Sequence, residues 1–151
     1  MHSLPEIPLF RALPLLLLTL AAGLADAGAA EPLPGPYGAQ LLEVVDGDTI
    51  RVRIRIWVDI DTETLVRIDA IDAPELRGRC EEETAMARRA RDMVASLAIH
   101  GELTLYDIRY GKFAGRVVAR VEADGRDIGR SLLADGLARA YSGGRRLSWC
   151  R

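Results

Sequence analysis

A chain of 151 residues with 49% hydrophobic and 28% charged content has the size and composition of one compact domain, which excludes a disordered or multi-domain protein. Its formal net charge of −2, from 20 basic and 22 acidic residues, gives no overall attraction to nucleic acid, so any grip on phosphate depends on where the arginines lie. The only histidines are His2 and His100, too few for a histidine-rich zinc site and poorly placed for a Ser/His/Asp triad.

Residues 1–30 begin with the weakly basic His2 and Arg11, run apolar from Ala12 to Ala25 around Pro14, and end in small residues. This layout predicts a secretory signal peptide, cleaved after Ala27 or Ala30. The apolar run of 14 residues falls short of the ~20 that a membrane-crossing helix needs, so no membrane anchor is expected after cleavage. Cleavage after Ala27 removes Glu6, Arg11 and Asp26 and takes the formal charge to −1. The product is expected to be exported, either periplasmic or secreted. In such an oxidising compartment Cys80 and Cys150 are expected to form a disulfide. It would close a loop of about 70 residues, worth roughly 4 kcal/mol on chain-entropy grounds.

Residues 31–39 are rich in Pro and Gly and read as a flexible lead; the domain proper is expected over 40–151. Gln40 to Val45 reads as a first strand, followed by an Asp46-Gly47 turn. Thr49 to Val58 alternates Ile50, Val52, Ile54 and Ile56 with Arg51, Arg53 and Arg55, the period of a half-buried strand. Its arginines are either a phosphate-binding stripe or solvated edge charges. Asp59 to Glu63 reads as a polar hairpin connection and Thr64 to Ile71 as a third strand stopped by Pro74. Helical spacing of Met86, Ala90, Met93, Val94 and Leu97 predicts a helix over Glu81–Ile99, with Glu81, Glu82 and Glu83 at its positive end and His100 just beyond the other. Glu102–Ile108 and Arg116–Ala123 read as two further strands, and Ile128–Ala134 as a short helix ended by Gly136. The expected fold is α+β, mainly β: a five-stranded OB-type barrel with one long and one short helix.

Two acidic clusters, Asp46-Gly47-Asp48-Thr49 and Asp72-Ala73-Pro74-Glu75, flank a strand that carries Arg67, and Arg116 follows later. Carboxylates and arginines converging on one site suit a metal-assisted attack on phosphate. An EF-hand is excluded, because the loop glycine and distal glutamate are not at the required offsets from Asp46.

In this order, Asp46 to Thr49, then Arg67-Ile68-Asp69-Ala70-Ile71-Asp72-Ala73-Pro74-Glu75, then Gly115-Arg116, resemble the signature of the staphylococcal nuclease family over roughly residues 40–141. The resemblance implies a calcium-dependent phosphodiesterase acting on DNA and/or RNA. It implies that Asp48, Asp72 and the main-chain carbonyl of Ala73 hold Ca²⁺ with Asp46 nearby, a donor set that suits a hard cation. It further implies Glu75 as the general base, or positioner, for the attacking water, and Arg67 and Arg116 as planar donors to the phosphate.

The sequence departs from the family pattern in several places. Lys112-Phe113-Ala114-Gly115 stands where the family has Lys-Tyr-Gly, so the family's tyrosine hydroxyl to a terminal phosphate is either missing or supplied by Tyr110 or Tyr141, with Lys112 the other candidate for substrate binding. The connection from Thr49 to Arg67 is longer, the segment after Glu75 shorter, and the family's last long helix does not follow Tyr141; the Cys80–Cys150 disulfide is expected to secure the tail instead. The reading is an exported, monomeric calcium-dependent nuclease. The alternatives are a catalytically weak OB-fold nucleic-acid-binding module and a structural protein of the cell envelope.

Overall fold

The computed structural model describes residues 30–151. The expected signal peptide, apart from Ala30, lies outside the described residues. Among those described, no helix is long and apolar enough to cross a membrane.

Five strands make the barrel: β1 (Tyr37–Asp46), β2 (Thr49–Trp57), β3 (Ile60–Ile68), β5 (Glu102–Tyr110) and β6 (Arg116–Ala123). They run in the order β3-β2-β1-β5-β6, and a parallel pairing of β3 with β6, Leu65 opposite Arg116 and Arg67 opposite Val118, closes the ring. This is the expected OB-type barrel, and closure leaves no free edge between its first and last strands. Short strands add to it: β4 (Ile71–Asp72) pairs with β8 (Arg139–Ala140), and β7 (Arg126–Asp127) with the end of β6.

The alternation in β2 holds through Ile54: Ile50, Val52 and Ile54 are buried and Arg51, Arg53 and Arg55 exposed. Ile56 breaks it, lying exposed with Trp57 and Val58 at the tip of the β2–β3 hairpin. The polar segment 59–63 is not a loop. Strand β3 already starts at Ile60, and Asp59 alone takes a positive φ of 59° in a tight turn. The reason is charge pairing across the hairpin. Arg53 stands opposite Glu63 and Arg55 opposite Asp61, with ion pairs of 2.7 and 2.8 Å, while Arg51 reaches Glu43 of β1 at 3.2 Å. The three arginines are therefore partnered cross-strand, exposed enough that solvent screens the pairs, and form no free phosphate-binding stripe.

At its other end β3 stops at Ile68, three residues earlier than the sequence suggests, because Asp69 and Ala70 form a turn in which Ala70 has φ 61°. The first strand begins at Tyr37 rather than Gln40, and ahead of it Leu33 exchanges two 2.8 Å backbone hydrogen bonds with Ile108, so part of the 31–39 segment is strand and part is paired to β5.

Helix α1 (Glu81–Leu97) buries Ala87, Ala90 and Val94, and its Arg91 Nε donates to the Val44 carbonyl at 3.1 Å, fixing it beside the end of β1. Helix α2 (Ile128–Ala134) is capped by Asp127, which accepts from the Arg130 N–H at 2.9 Å, and ends at Gly136. The core is Ile50, Val52, Val66, Ile68, Ile71, Leu105, Val121, Ile128 and Leu132, each essentially sealed from solvent. Burying each such side chain contributes roughly 1.5–3 kcal/mol, which makes the barrel a rigid support for the loops at its rim.

Candidate active site

Three neighbouring pieces of backbone bring the acids together. Asp48 sits in the two-residue turn between β1 and β2, Asp72 ends β4, and Glu75 follows in the loop leading to α1. Gly47 makes the first approach possible. A Cβ there would lie 2.7 Å from the Ala90 Cβ and 2.9 Å from the Ala73 Cβ, so only glycine lets the Asp46–Asp48 turn press against both α1 and the second acidic cluster. The β4 strand is held in turn by β8, and the Tyr141 N–H donates to the Ala70 carbonyl at 2.9 Å.

Asp48 and Asp72 are both buried. Arg67 reaches them from β3: Nη1 pairs with Asp48 Oδ2 at 2.7 Å, Nη2 lies 3.9 Å from Asp72 Oδ1, and Nη2 also donates to the Ile71 carbonyl at 3.0 Å. Asp48 Oδ1 accepts from the Thr49 hydroxyl at 2.9 Å, and Oδ2 accepts a longer 3.4 Å bond from the Ala73 N–H. Asp46 accepts from the Asp48 N–H at 3.0 Å, which sets the shape of the turn. Asp46, Asp48, Arg67, Asp72, Ala73 and Glu75 are thus brought together by the fold.

Arg116 belongs to the same face of the β3–β6 pair as Arg67, since 65 faces 116 and 67 faces 118. No ion pair joins it to the acids among the described residues. Its guanidinium lies 5.1 Å from the Phe113 ring, and its buried Nε has no hydrogen-bond partner. Of the tyrosines, Tyr141 stands by the site, with the Arg67 guanidinium 5.8 Å from its ring, but its hydroxyl donates to the Gly144 carbonyl at 2.8 Å. Tyr110 is largely exposed at the end of β5, and Lys112 is exposed in the following turn.

Sequence reasoning missed three residues of this site. Glu83, read as a helix-end charge, is buried and accepts the N–H groups of Arg79 at 2.8 Å and Glu75 at 3.5 Å, so it organises the loop that carries Glu75. Arg146, in a tail that also carries Arg139, Arg145 and Arg151, lies among the acids: Nη2 is 3.3 Å from Asp48 Oδ2, Nε is 2.5 Å from Asp72 Oδ1, and Nη1 pairs with Glu75 Oε1. Trp149 Nε1 donates to Asp72 Oδ2 at 3.3 Å. The cysteines carried the signal. The disulfide between Cys80 and Cys150 is present, with Cα atoms 6.0 Å apart, and it draws residues 146–150 against residues 75–80.

Electrostatics follow from this crowding. Burial, then the nearby Asp48 charge, pushes the Asp46 carboxyl up to about 6. Burial also raises Asp72, against the opposing pull of Arg146 and the Trp149 hydrogen bond. Burial would lower Arg146, but its hydrogen bond to Glu75 and the charges of Asp72 and Asp48 outweigh that and raise it. The Arg146 Nε contact with Asp72 Oδ1 is ionic and outside hydrogen-bond geometry, so this buried oxygen receives no hydrogen bond. A buried carboxylate oxygen lacking a donor, beside a second buried carboxylate, fits a hard oxygen-seeking cation. The sulfurs nearby, of Cys80 and Cys150, are bonded to each other and offer no soft thiolate.

The acids border a cleft of about 180 Å³ lined by Asp72, Ala73, Glu75, Glu83, Arg146 and Trp149. A larger open groove of about 690 Å³ beside Gln40, Arg53, Arg55 and His100 contains none of the site residues, and the two arginines in it are already ion-paired.

A closed OB-type barrel with an acid-and-arginine cluster at its rim defines a class of small nucleases and nucleic-acid-binding modules. The model of the staphylococcal nuclease homologue family matches residues 65–147, more than half of the chain, and the protein belongs to that family. The matched stretch holds Arg67, Asp72, Glu75, Arg116 and Arg146; Asp46 and Asp48 precede it and join the site through the contacts above. No individual curated protein matches the chain.

Proposed function

We propose that this protein is an exported, calcium-dependent nuclease that hydrolyses phosphodiester bonds of DNA and/or RNA, acting as a monomer through the domain over 40–151. The observation that carries this reading is the pair of buried carboxylates, Asp48 and Asp72, bridged by Arg67 with Glu75 alongside. Export, to the periplasm or beyond the cell, is supported by the signal-like residues 1–30 and by the disulfide.

In this mechanism Asp48, Asp72 and the Ala73 carbonyl would hold Ca²⁺, with Asp46 beside it. Bound there, the ion would supply positive charge that polarises the phosphodiester and makes water a better nucleophile. Glu75 accepts a proton from the attacking water as its oxygen bonds to phosphorus and the ester P–O bond breaks toward the leaving alkoxide. Arg67, fixed by Asp48 and the Ile71 carbonyl, donates its remaining N–H groups to a non-bridging phosphate oxygen. Arg116, with its unpartnered buried Nε, serves a second oxygen, and the two offset the charge that builds in the transition state. Lys112, Tyr110 and Tyr141 are assigned to the flanking substrate.

One observation favours the alternative, a catalytically weak nucleic-acid-binding module: Arg146 already contacts the acids that catalysis needs. Hydrolysis of DNA and RNA by the purified protein, with Ca²⁺, with a chelator, and as Glu75→Gln, separates the two. The nuclease reading expects activity only with Ca²⁺ and a loss of about 10²–10⁴-fold in the variant, the usual contribution of a general base. Nucleic-acid binding without hydrolysis under all three conditions would establish the weak module instead.

A further inference from the structure

We propose that Arg146 is a built-in competitor for the metal ion: its guanidinium and a bound cation are alternative occupants of the Asp48–Asp72–Glu75 cluster. This rests on the reading that Asp48 and Asp72 hold a cation. Arg146 is a single side chain that uses three of its nitrogens on three different carboxylates, one from each acidic position assigned to the ion or the water. It also meets Asp72 through Oδ1, the oxygen with no hydrogen bond of its own. A divalent ion on the same oxygens would stand within a few ångströms of the guanidinium, with like charges in a partly buried space. Arg67 comes close to Asp48 alone and is held back by the Ile71 carbonyl, whereas Arg146 spans Asp48, Asp72 and Glu75, so it is Arg146 that a bound ion displaces.

The tail is fastened so that the guanidinium stays near. Four residues beyond Arg146, Cys150 is bonded to Cys80 at the start of α1. Between them Trp149 donates to Asp72 Oδ2, and Arg139 of β8 lies 3.7 Å over the Trp149 ring while donating to the Ser148 carbonyl at 3.0 Å. Even a short flexible tether gives an effective concentration of about millimolar, and this segment is held at both ends. Glu75 is engaged by the same guanidinium, so metal loading that expels Arg146 also frees the assigned base. The device sets the calcium level at which the site fills, because affinity is reduced by the fraction of molecules in which the acids are uncovered.

Calorimetric titration of the purified, disulfide-bonded protein with Ca²⁺ tests this without reference to activity. Arg146→Ala should bind Ca²⁺ about tenfold tighter or more than the parent protein, the ratio expected if the acids are uncovered in about a tenth or less of parent molecules. Arg146→Gln, which keeps much of the packing, should behave the same way, and Asp48→Asn in the Arg146→Ala background should abolish the binding. By reciprocity, Ca²⁺ should increase tryptic cleavage after Arg145 and Arg146 in the parent protein. Equal affinities for parent and both Arg146 variants, with binding still lost in Asp48→Asn, would overturn the competition and leave the metal reading standing. No Ca²⁺ binding by any of them, including Arg146→Ala, would overturn the metal reading and the competition with it.

Discussion

Arg146 Nε stands 2.5 Å from Oδ1 of Asp72, although 74 positions separate the two residues in the chain. That contact joins the C-terminal segment to the acidic rim of the barrel, and it exists because β8 pairs with β4 and the disulfide closes the remaining gap.

The disulfide should be the largest single contributor to stability outside the core. Cys80→Ser/Cys150→Ser opens a loop spanning a sequence separation of 70 and is expected to lower unfolding free energy by roughly 4 kcal/mol on chain-entropy grounds. Urea denaturation of oxidised parent and double variant gives the difference directly. A shift of under about 1 kcal/mol would mean that the cross-link constrains the unfolded chain far less than this loop length implies.

Gly47→Ala should destabilise the protein by about 1–3 kcal/mol, the usual result of forcing extra volume into a packed contact. Both clashing atoms, the Cβ of Ala90 and that of Ala73, belong to short side chains on fixed backbone and cannot swing away. Denaturant midpoints measure it. Because Ala73 lies in the second acidic cluster, Ca²⁺ affinity should fall with stability.

Arg116→Ala should separate activity from stability. Its buried Nε has no partner, so removing it relieves an unsatisfied donor, and unfolding free energy should change by less than about 1 kcal/mol. Turnover should fall by about 10²–10³-fold, the loss typical of removing one transition-state donor. Steady-state kinetics beside a melting curve test both halves, and normal turnover would take Arg116 out of the site.

The Asp69–Arg109 pair predicts a pH dependence of definite sign. The two bonds from Arg109, of 2.8 and 2.6 Å, hold the Asp69 carboxyl below its ordinary value, with the Ala70 N–H adding to the effect. A folded-state pKa below the unfolded value of 3.8 gives stability that is present above that pH and lost as pH falls through the folded value. Arg109→Met should therefore be less stable than the parent at neutral pH, by about 1 kcal/mol or less for so open a pair, and the difference should vanish in acid. A difference that grew below pH 4 would contradict the sign.

Much of this molecule is legible in the chain. The period-two alternation of Ile50, Val52 and Ile54 with arginines marks β2, and helical spacing marks α1, because local geometry alone decides which side chains share a face. The order of Asp48, Arg67, Asp72, Glu75 and Arg116 is likewise written in sequence, since the turns that present them are short and local. Segment 59–63 has the polarity of a loop yet is largely strand, because Asp61 and Glu63 face arginines on β2, a fact of pairing rather than of composition.

By itself, then, the sequence determined the number and order of the barrel's strands, its long helix, the order of the acids with Arg67 and Arg116, and the pairing of two cysteines. Only the tertiary structure decided what those acids touch. Arg146 and Glu83 are ordinary surface charges by position and pattern, and their roles arise from contacts across 71 and 8 residues, with Glu75 Oε1 and the Glu75 N–H. A charge in a flexible segment has no preferred partner until closure of the chain, here by β4–β8 pairing and a disulfide, removes the entropy that would keep the two apart.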